Sequence, residues 1–340
     1  MNVQQRATLE DVARLAGVSS KTVSRVFTHR DLVAPDTVER VLAAAKRLRF
    51  RPNPLARNLR RGGPTDTIGF IMGELNNPFY YKLAAGIERE LSAHGFSLVV
   101  ATTDDTVEGE ERVADALLGQ RLGALLLIPV AEDQSYLEGE RHLGTPVIAI
   151  DRPARNLVAD SIVLENHRGV FEATTRLLER GHRRIGYICN PASVYTQAER
   201  LRGYRDALAA YGIAESSRWE RLADDLARPA DGLIADLLDQ ADAPTAIITG
   251  NNRVTIGALR VLRDRGDDTT ALIGFDDFDT ADVLGVSVIT YDPLALGKAA
   301  ATLAIERMQD PAGFTRQLEM PTWIVERGTG ERLPAERTPA

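Results

Sequence analysis

Cysteine is nearly absent from this 340-residue chain: Cys189 stands alone, which excludes an intramolecular disulfide and any thiolate-cluster zinc site. It sits in the strand-like run RIGYICN and reads as a small buried residue. Long apolar runs are missing as well. None approaches the ~20 residues of a membrane span, and the opening MNVQQRATLEDV lacks the basic-then-apolar layout of a secretory signal. A cytosolic location with no membrane partner is expected. The five histidines, His29, His94, His142, His167 and His182, show no metal-ligand spacing. No Gly-rich phosphate loop, G-x-S-x-G elbow or H-E-x-x-H is present, and Asp276-Asp277 is only one acidic pair at a strand end. No catalytic residue, metal or cofactor is expected.

What the chain does have is an uneven spread of charge. Residues 1–63 hold 13 Lys/Arg against 5 Asp/Glu, a net of +8, whereas the whole chain is formally −7, which leaves −15 on residues 64–340. A basic block ahead of an acidic body is the footprint of a DNA module joined to a part that does not touch DNA. The length leaves room for a small headpiece plus one large or two medium domains.

Within the basic block, TLEDVARLAGVSSKTVSRVF reads as two short helices around a turn. Thr8 is placed to cap the first, with Asp11 answering three residues on. Leu9, Val12, Ala13 and Ala16 recur at helical spacing, Gly17 supplies the turn, and Ser19 is placed to cap the second helix. There Val23, Val26 and Phe27 face inward and leave Ser20, Lys21, Ser24 and Arg25 outside. Four polar residues alone describe an ordinary solvated face, and it is the sequence after them that turns the reading toward DNA. A guanidinium can grip the O6/N7 edge of guanine with two hydrogen bonds, which suits Arg25 to base reading and Lys21 to a base or a phosphate. Val38, Val41, Leu42, Ala45 and Leu48 form a third amphipathic helix that completes a helix-turn-helix core. RPNPLARNLRRGG then offers Asn53 as a cap, Pro54 in a first turn, and Leu55 and Leu59 on one face among Arg57, Arg60 and Arg61. Isolated helices need about 12 to 15 residues to be even marginal in water. This segment is therefore expected to order only when something packs its leucines, such as a paired copy in a DNA minor groove.

The runs ATLEDVARLAGVSSKTVSRVF, VAPDTVERVLAAAKRL and RPNPLARNL resemble the headpiece and hinge of the lactose-repressor (LacI/GalR) family of transcription regulators, and the likeness covers nearly the whole chain. It implies that Ser20, Lys21 and Arg25 read bases, that Thr8 and Ser24 approach the DNA backbone, and that Leu59 inserts at the operator centre. Asn53 and Arg57 join this DNA-binding set from the hinge. Arg49-Phe50 departs from the family's usual Gly-Tyr and adds positive charge beside the hinge.

Beyond residue 66, apolar strands alternate with amphipathic helices. TIGFIM, SLVVAT, ALLLIP and PVIAID read as strands, with helices over 80–94 and 108–120. SIVLE, RIGYIC, TAIITG, ALIGFDD and VSVITY follow, with helices over 168–180, 200–211, 231–240 and 253–265. Near-continuous apolar strands separated by helices predict an α/β class with buried parallel sheets. A helix over 294–308 and one last strand near 320–325 follow. The resemblance implies that they cross back between two lobes, as in type I periplasmic-binding-protein folds. The expected organisation is a helix-turn-helix headpiece (1–51), a hinge helix and linker (52–66), a two-lobed effector-binding and dimerisation domain (67–330) and a disordered tail (331–340). The lobes are expected at 67–162 plus 291–318 and at 163–290 plus 319–330.

Ligands of open α/β sheets bind at the carboxyl ends of strands, and there this sequence turns polar: Asn76-Asn77-Pro78-Phe79-Tyr80, Asp151-Arg152, Glu165-Asn166, Gly250-Asn251-Asn252 and Asp276-Asp277. Polar groups beside an aromatic make a sugar-like site, although Asx residues at strand ends also serve as plain caps. The resemblance assigns Arg200, Asn251 and Asp276 to the effector and matches Phe79, Asp151 and Tyr291 to further pocket positions. ADDLARPADG lacks the aromatic that relatives often stack on a sugar, Leu226 being nearest, and Glu165 stands where many relatives have Asp. A carbohydrate effector is expected, with an organic acid, a purine or a sugar phosphate as alternatives in view of Arg152 and Arg200.

The expected function is that of a sequence-specific transcriptional regulator, a repressor whose homodimer holds a near-palindromic operator under control of a small-molecule effector. A corepressor-dependent regulator is the alternative. A solute-binding protein of the transport type would carry a secretion signal and no headpiece, and an architectural DNA binder would lack the lobes.

Overall fold

The computed structural model describes residues 7–51, 65–213, 216–223 and 230–335. The hinge expectations at Asn53, Arg57 and Leu59, and that at Leu226, lie outside the described residues. The chain divides into two units, Met1–Thr65 and Asp66–Ala340.

In the first unit α1 (Leu9–Ala16), α2 (Ser20–Thr28) and α3 (Pro35–Arg47) pack around Val12, Ala13, Ala16, Val23, Val26, Val38, Val41, Ala44 and Ala45. Small side chains let three short helices approach closely, and Phe27 and Phe50 close one edge with ring centroids 5.8 Å apart. The capping box forms as expected: Asp11 N donates to Thr8 Oγ1 at 3.2 Å and Thr8 N donates to Asp11 Oδ2 at 2.9 Å. Gly17 ends α1 at φ +67°, a left-handed conformation that lacks penalty only without a Cβ.

The second unit holds two six-stranded sheets. The first contains β1 (Thr67–Met72), β2 (Ser97–Thr102), β3 (Ala124–Leu127), β4 (Val147–Ile150), β5 (Asp160–Leu164) and β11 (Gln317–Met320). Its order is β11-β5-β4-β3-β1-β2 and every pairing is parallel. The second contains β6 (Ile185–Cys189), β7 (Glu220–Leu222), β8 (Ala246–Thr249), β9 (Ala271–Phe275), β10 (Ser287–Thr290) and β12 (Trp323–Val325). It repeats the arrangement as β12-β10-β9-β8-β6-β7, with β12 alone antiparallel. Strands β3 to β6 and β8 to β10 are buried at every position. Sheets covered on both faces need such unbroken apolar runs.

The helices of this unit are α4 (Pro78–Ala93), α5 (Val107–Leu118), α6 (Glu138–His142), α7 (Asn166–Glu179), α8 (Tyr195–Ala210), α9 (Asp231–Leu238), α10 (Asn252–Asp264) and α11 (Pro293–Gln309). α4 lies against α11 through facing glycines. A Cβ on Gly86 would stand 2.3 Å from Leu294 O, and one on Gly297 would stand 2.3 Å from Leu83 O.

Three expectations need correction. β5, read as SIVLE at the start of the second lobe, belongs wholly to the first sheet, bonded to β4 and β11. The lobes therefore part after Leu164 and not at residue 162. The single last strand is two, β11 in one sheet and β12 in the other, because Pro321 has no N–H to carry a continuous ladder between them. The tail is docked as far as Arg332: Ser287 Oγ donates to Glu331 Oε2 at 2.9 Å, Arg332 Nη1 donates to Thr270 O at 2.8 Å, and Arg332 O lies 2.9 Å from His182 Nε2.

Candidate functional site

The strands of both sheets end at a cavity lined from each lobe. The duplicated topology puts Asp151, after β4, and Asp276, after β9, at equivalent places, and both take left-handed backbone, at φ +68° and +70°. Each amide is tied to the neighbouring strand, Asp151 N to Ile162 O at 2.8 Å and Asp276 N to Ile289 O at 3.0 Å. Non-glycine residues held there store roughly 1–3 kcal/mol each, a pattern concentrated at ligand sites. Phe79, Asp151, Arg200, Asn251, Asp276 and Tyr291, the six residues that the resemblance pointed to, all line the cavity.

Arg200 is almost fully buried and tightly held. Its Nε donates to Asn166 Oδ1 at 2.7 Å, Nη1 donates to Gly250 O at 2.6 Å, and the guanidinium lies 3.5 Å above the Phe275 ring centre. The helix that carries it can sit so close because a Cβ on Gly203 would meet His167 O at 2.2 Å. Tyr291 OH donates to Asp276 Oδ1 at 2.9 Å. Burial pushes the Asp276 carboxyl above its ordinary pKa, against the pull of Arg200. Asn251 also caps α10, its Oδ1 accepting from Val254 N at 3.0 Å. The capping reading and the lining position hold together for this residue.

The other strand-end residues divide. Asn77, Tyr80 and Arg152 reach the cavity. Asn166 supports it through Arg200. Asp277 does not: both its oxygens accept from Arg327, at 2.8 and 2.7 Å. Glu165 pairs with Arg168 at 2.8 Å, and neither Glu165 nor Asn76 lines the cavity.

Several lining residues escaped the sequence reading: Glu74, Asp105, Asn190, Val194, Thr196, Gln197 and Arg253. Two signals were present. Thr196 and Gln197 precede Arg200 by four and three residues, one helical turn on the same face. Asp105 follows β2, so the strand-end rule reaches it too; Tyr80 OH donates to its Oδ1 at 3.3 Å, and burial raises its pKa against the opposing Arg152. Glu74, two residues after β1, falls under the same rule, and nothing in the local sequence marks Arg253. Among the lining residues, Gln197 Oε1 is buried with no hydrogen-bond partner, whereas Arg152 Nε lies 3.4 Å from Asp151 Oδ2 in an ion pair.

In the headpiece, Thr8, Ser20, Lys21 and Arg25 are exposed and Ser24 is half-buried, with Val23 and Val26 turned inward on the same helix. α2 thus presents a short polar and basic face backed by a packed core, the construction of a groove-reading helix.

A helix-turn-helix headpiece followed by a two-lobed α/β domain with a polar cleft defines a ligand-responsive DNA-binding regulator. Residues 8–53 match "Bacterial regulatory proteins, lacI family", and residues 65–315 match "Periplasmic binding proteins and sugar binding domain of LacI family". The chain is 31% identical to the ribose operon repressor of Escherichia coli strain K12, covering 95% of this chain and 99% of that one. Its fold is similar to that of the transcriptional regulator CelR in complex with cellobiose, with TM-score 0.70, 30% identity and coverage of 95% and 100%. It is also similar to the lac repressor dimer bound to operator and the anti-inducer ONPF, with TM-score 0.84, 26% identity and coverage of 96% and 99%. The chain belongs to the LacI family of bacterial transcription regulators. It is a sequence-specific DNA-binding protein with a periplasmic-binding-protein-like effector domain.

Proposed function

We propose that this protein is a cytoplasmic, homodimeric repressor whose operator affinity is set by a neutral sugar bound between its lobes, without catalytic turnover. The observation that carries this reading is the polar lining of one cavity from both lobes, with carboxylate, guanidinium and amide groups set beside Phe79 and Tyr291, and with Gln197 Oε1 buried and lacking a hydrogen-bond partner. Buried polar groups are almost always satisfied, and a hydroxyl can both donate and accept. A polyhydroxylated ligand would match such a lining. Charge supports the same class. Glu74, Asp105, Asp151 and Asp276 face Arg152, Arg200 and Arg253 across the cavity, a balance of four carboxylates against three guanidiniums that disfavours organic acids and sugar phosphates. A ribose repressor and a cellobiose-bound regulator among the similar proteins point the same way.

Arg25, Lys21 and Ser20 would read bases, Thr8 and Ser24 would contact phosphates, and Asn53, Arg57 and Leu59 would act from the hinge in the central minor groove. A thermal-shift screen of the purified protein against sugars, sugar acids and nucleobases tests the ligand class, followed by operator titration with and without the hit. A neutral sugar should raise the melting temperature and change operator affinity. A hit confined to nucleobases or acids would replace the sugar reading. For the DNA half, Leu59→Ala should weaken specific operator binding much more than non-specific binding.

A further inference from the structure

The end of α3 breaks a rule that other helices of the chain keep. Helices α4, α6, α7, α8 and α10 each close on a glycine two residues past the last helical one, namely Gly95, Gly144, Gly181, Gly212 and Gly266, at φ between +62° and +96°. The next residue then donates back to the helix, as Phe96 N does to Leu91 O at 2.9 Å and Ile213 N to Leu208 O at 3.0 Å. This is the Schellman closure, and its left-handed residue is ordinarily glycine because a Cβ is disfavoured there. The end of α3 closes in the same way: Phe50 N donates to Ala45 O at 2.8 Å and Arg49 N donates to Lys46 O at 3.1 Å. Its left-handed residue, at φ +50°, is Arg49.

Nothing among the described headpiece residues accounts for that arginine. Lys46 and Arg47 lie in the last turn, where cations favour the negative end of a helix. Arg49 lies past that turn, and asparagine would tolerate the backbone better. Its side chain is exposed and makes no hydrogen bond or ion pair with any described residue. Arg121, the other arginine with left-handed backbone, engages another group of the protein. Phe50 packs against Phe27 with ring centroids 5.8 Å apart, which sets Arg49 beside the last turn of α2. Arg49 also precedes Asn53 by four residues, a span of at most about 14 Å. A cation there stands between the helix that reads one groove and the segment assigned to the next, and what separates two grooves of a duplex is the sugar-phosphate backbone.

We propose that Arg49 is a phosphate anchor, its guanidinium gripping the DNA backbone between the groove read by α2 and the groove taken by the hinge. The inference rests on the operator reading above and adds to it a contact that carries affinity and no base preference. A residue ill suited to a helix end is well suited to a phosphate, which accepts two hydrogen bonds from one guanidinium.

Titrations of the full-length protein across about 50 to 200 mM salt test the contact. The probes are the duplex that the unmodified protein selects from a random-sequence pool and an unselected duplex of mixed sequence. Each phosphate contact contributes about 0.9 to the slope of log affinity against log salt. Arg49→Gly removes one contact from each subunit of the dimer, so the slope should become shallower by about 1.8. With the two lines meeting near 1 M, that difference amounts to roughly thirtyfold in affinity at about 0.15 M salt. The loss should appear on both duplexes, and the selected sequence should stay the same. The thermal midpoint of this variant should stay level or rise, because glycine relieves the backbone, whereas a structural role would lower it. Arg49→Lys should keep the slope. If Arg49→Gly fails to fold, Arg49→Asn carries the same expectation for the slope. An unaltered salt slope in the glycine or asparagine variant would overturn the anchor and leave the operator reading standing. So would an equal loss of slope in Arg49→Lys, or a changed base preference with the slope intact. Selection of no duplex by the unmodified protein would defeat the operator reading, and the anchor with it.

Discussion

Arg200 does at one position what a lysine cannot. Its planar fork reaches Asn166 and Gly250 at once while its face lies on Phe275, whereas an ammonium is a point charge with no face to stack. Arg200→Lys should therefore weaken effector binding by about 1.5–3 kcal/mol, the range for a lost charge-assisted hydrogen bond, with calorimetry as the measurement. Asp276 allows a prediction in pH. Its carboxylate accepts from Tyr291 and from a ligand hydroxyl more strongly than the neutral acid does, and burial raises its pKa above the ordinary 3.8. Effector affinity should then fall on acidification at a higher pH than an unperturbed carboxylate would give. Asp105 is shifted the same way, so titrations across pH should show the dependence reduced but not removed in Asp276→Asn. An unchanged profile in that variant would take Asp276 out of the binding equilibrium.

Among the elements, the contact of α4 with α11 is the most sensitive to substitution. Both helices approach at glycine, and the atoms that a new Cβ would strike are backbone, at 2.3 Å in each case. Overpacking of this kind costs about 1–3 kcal/mol, so Gly86→Ala and Gly297→Ala should each lower the denaturant midpoint by that equivalent. The docked end of the chain gives a second test. Burial lowers the pKa of His182 below 6.5, and its two ring nitrogens lie 2.8 Å from Thr245 Oγ1 and 2.9 Å from Arg332 O. The unfolded chain therefore takes up the proton first as pH falls. The stability that neutral His182 contributes is fully present above 6.5 and is lost as pH drops from there through its folded value. Urea unfolding at a series of pH values should show this decline, and His182→Gln should remove it.

For the molecule as a whole, the lobes are joined by three segments among the described residues, between β5 and α7, between β10 and α11, and between β11 and β12. Relative movement of the lobes would have to bend those crossings and break the side-chain bonds over the cleft, those of Asp279 with Tyr81 and Lys82 and of Asn77 with Asn252. If a bound sugar alters the operator affinity, linkage requires the operator to alter sugar affinity by the same factor, about 5- to 150-fold for a coupling of 1–3 kcal/mol. Sugar titrations with and without operator duplex should return the factor found in the reciprocal DNA titrations. Unequal factors would show that a further binding event takes part. No helix among the described residues is long and apolar enough to cross a membrane.

The sequence by itself determined the elements and their class. Capping by Thr8 and Ser19, the turn at Gly17 and the unbroken apolar strands are local matters of hydrogen bonding and burial, so the headpiece and the alternating lobes could be read directly. The family likeness pointed to six lining residues; the gathering of ligands at strand ends reaches Phe79, Asp151, Asn251, Asp276 and Tyr291, but not Arg200, which lies inside α8. What only the tertiary structure decided was pairing across distance. The sheet that takes β5, the split of the last strand into β11 and β12, and the docking of Arg332 depend on partners far away in the chain. So do the commitment of Asp277 to Arg327 and the meeting of Glu74 with Arg253. An Asp at a strand end looks the same from its neighbours whether it faces a ligand or an arginine fifty residues on. Only the folded chain brings one partner or the other within bonding range.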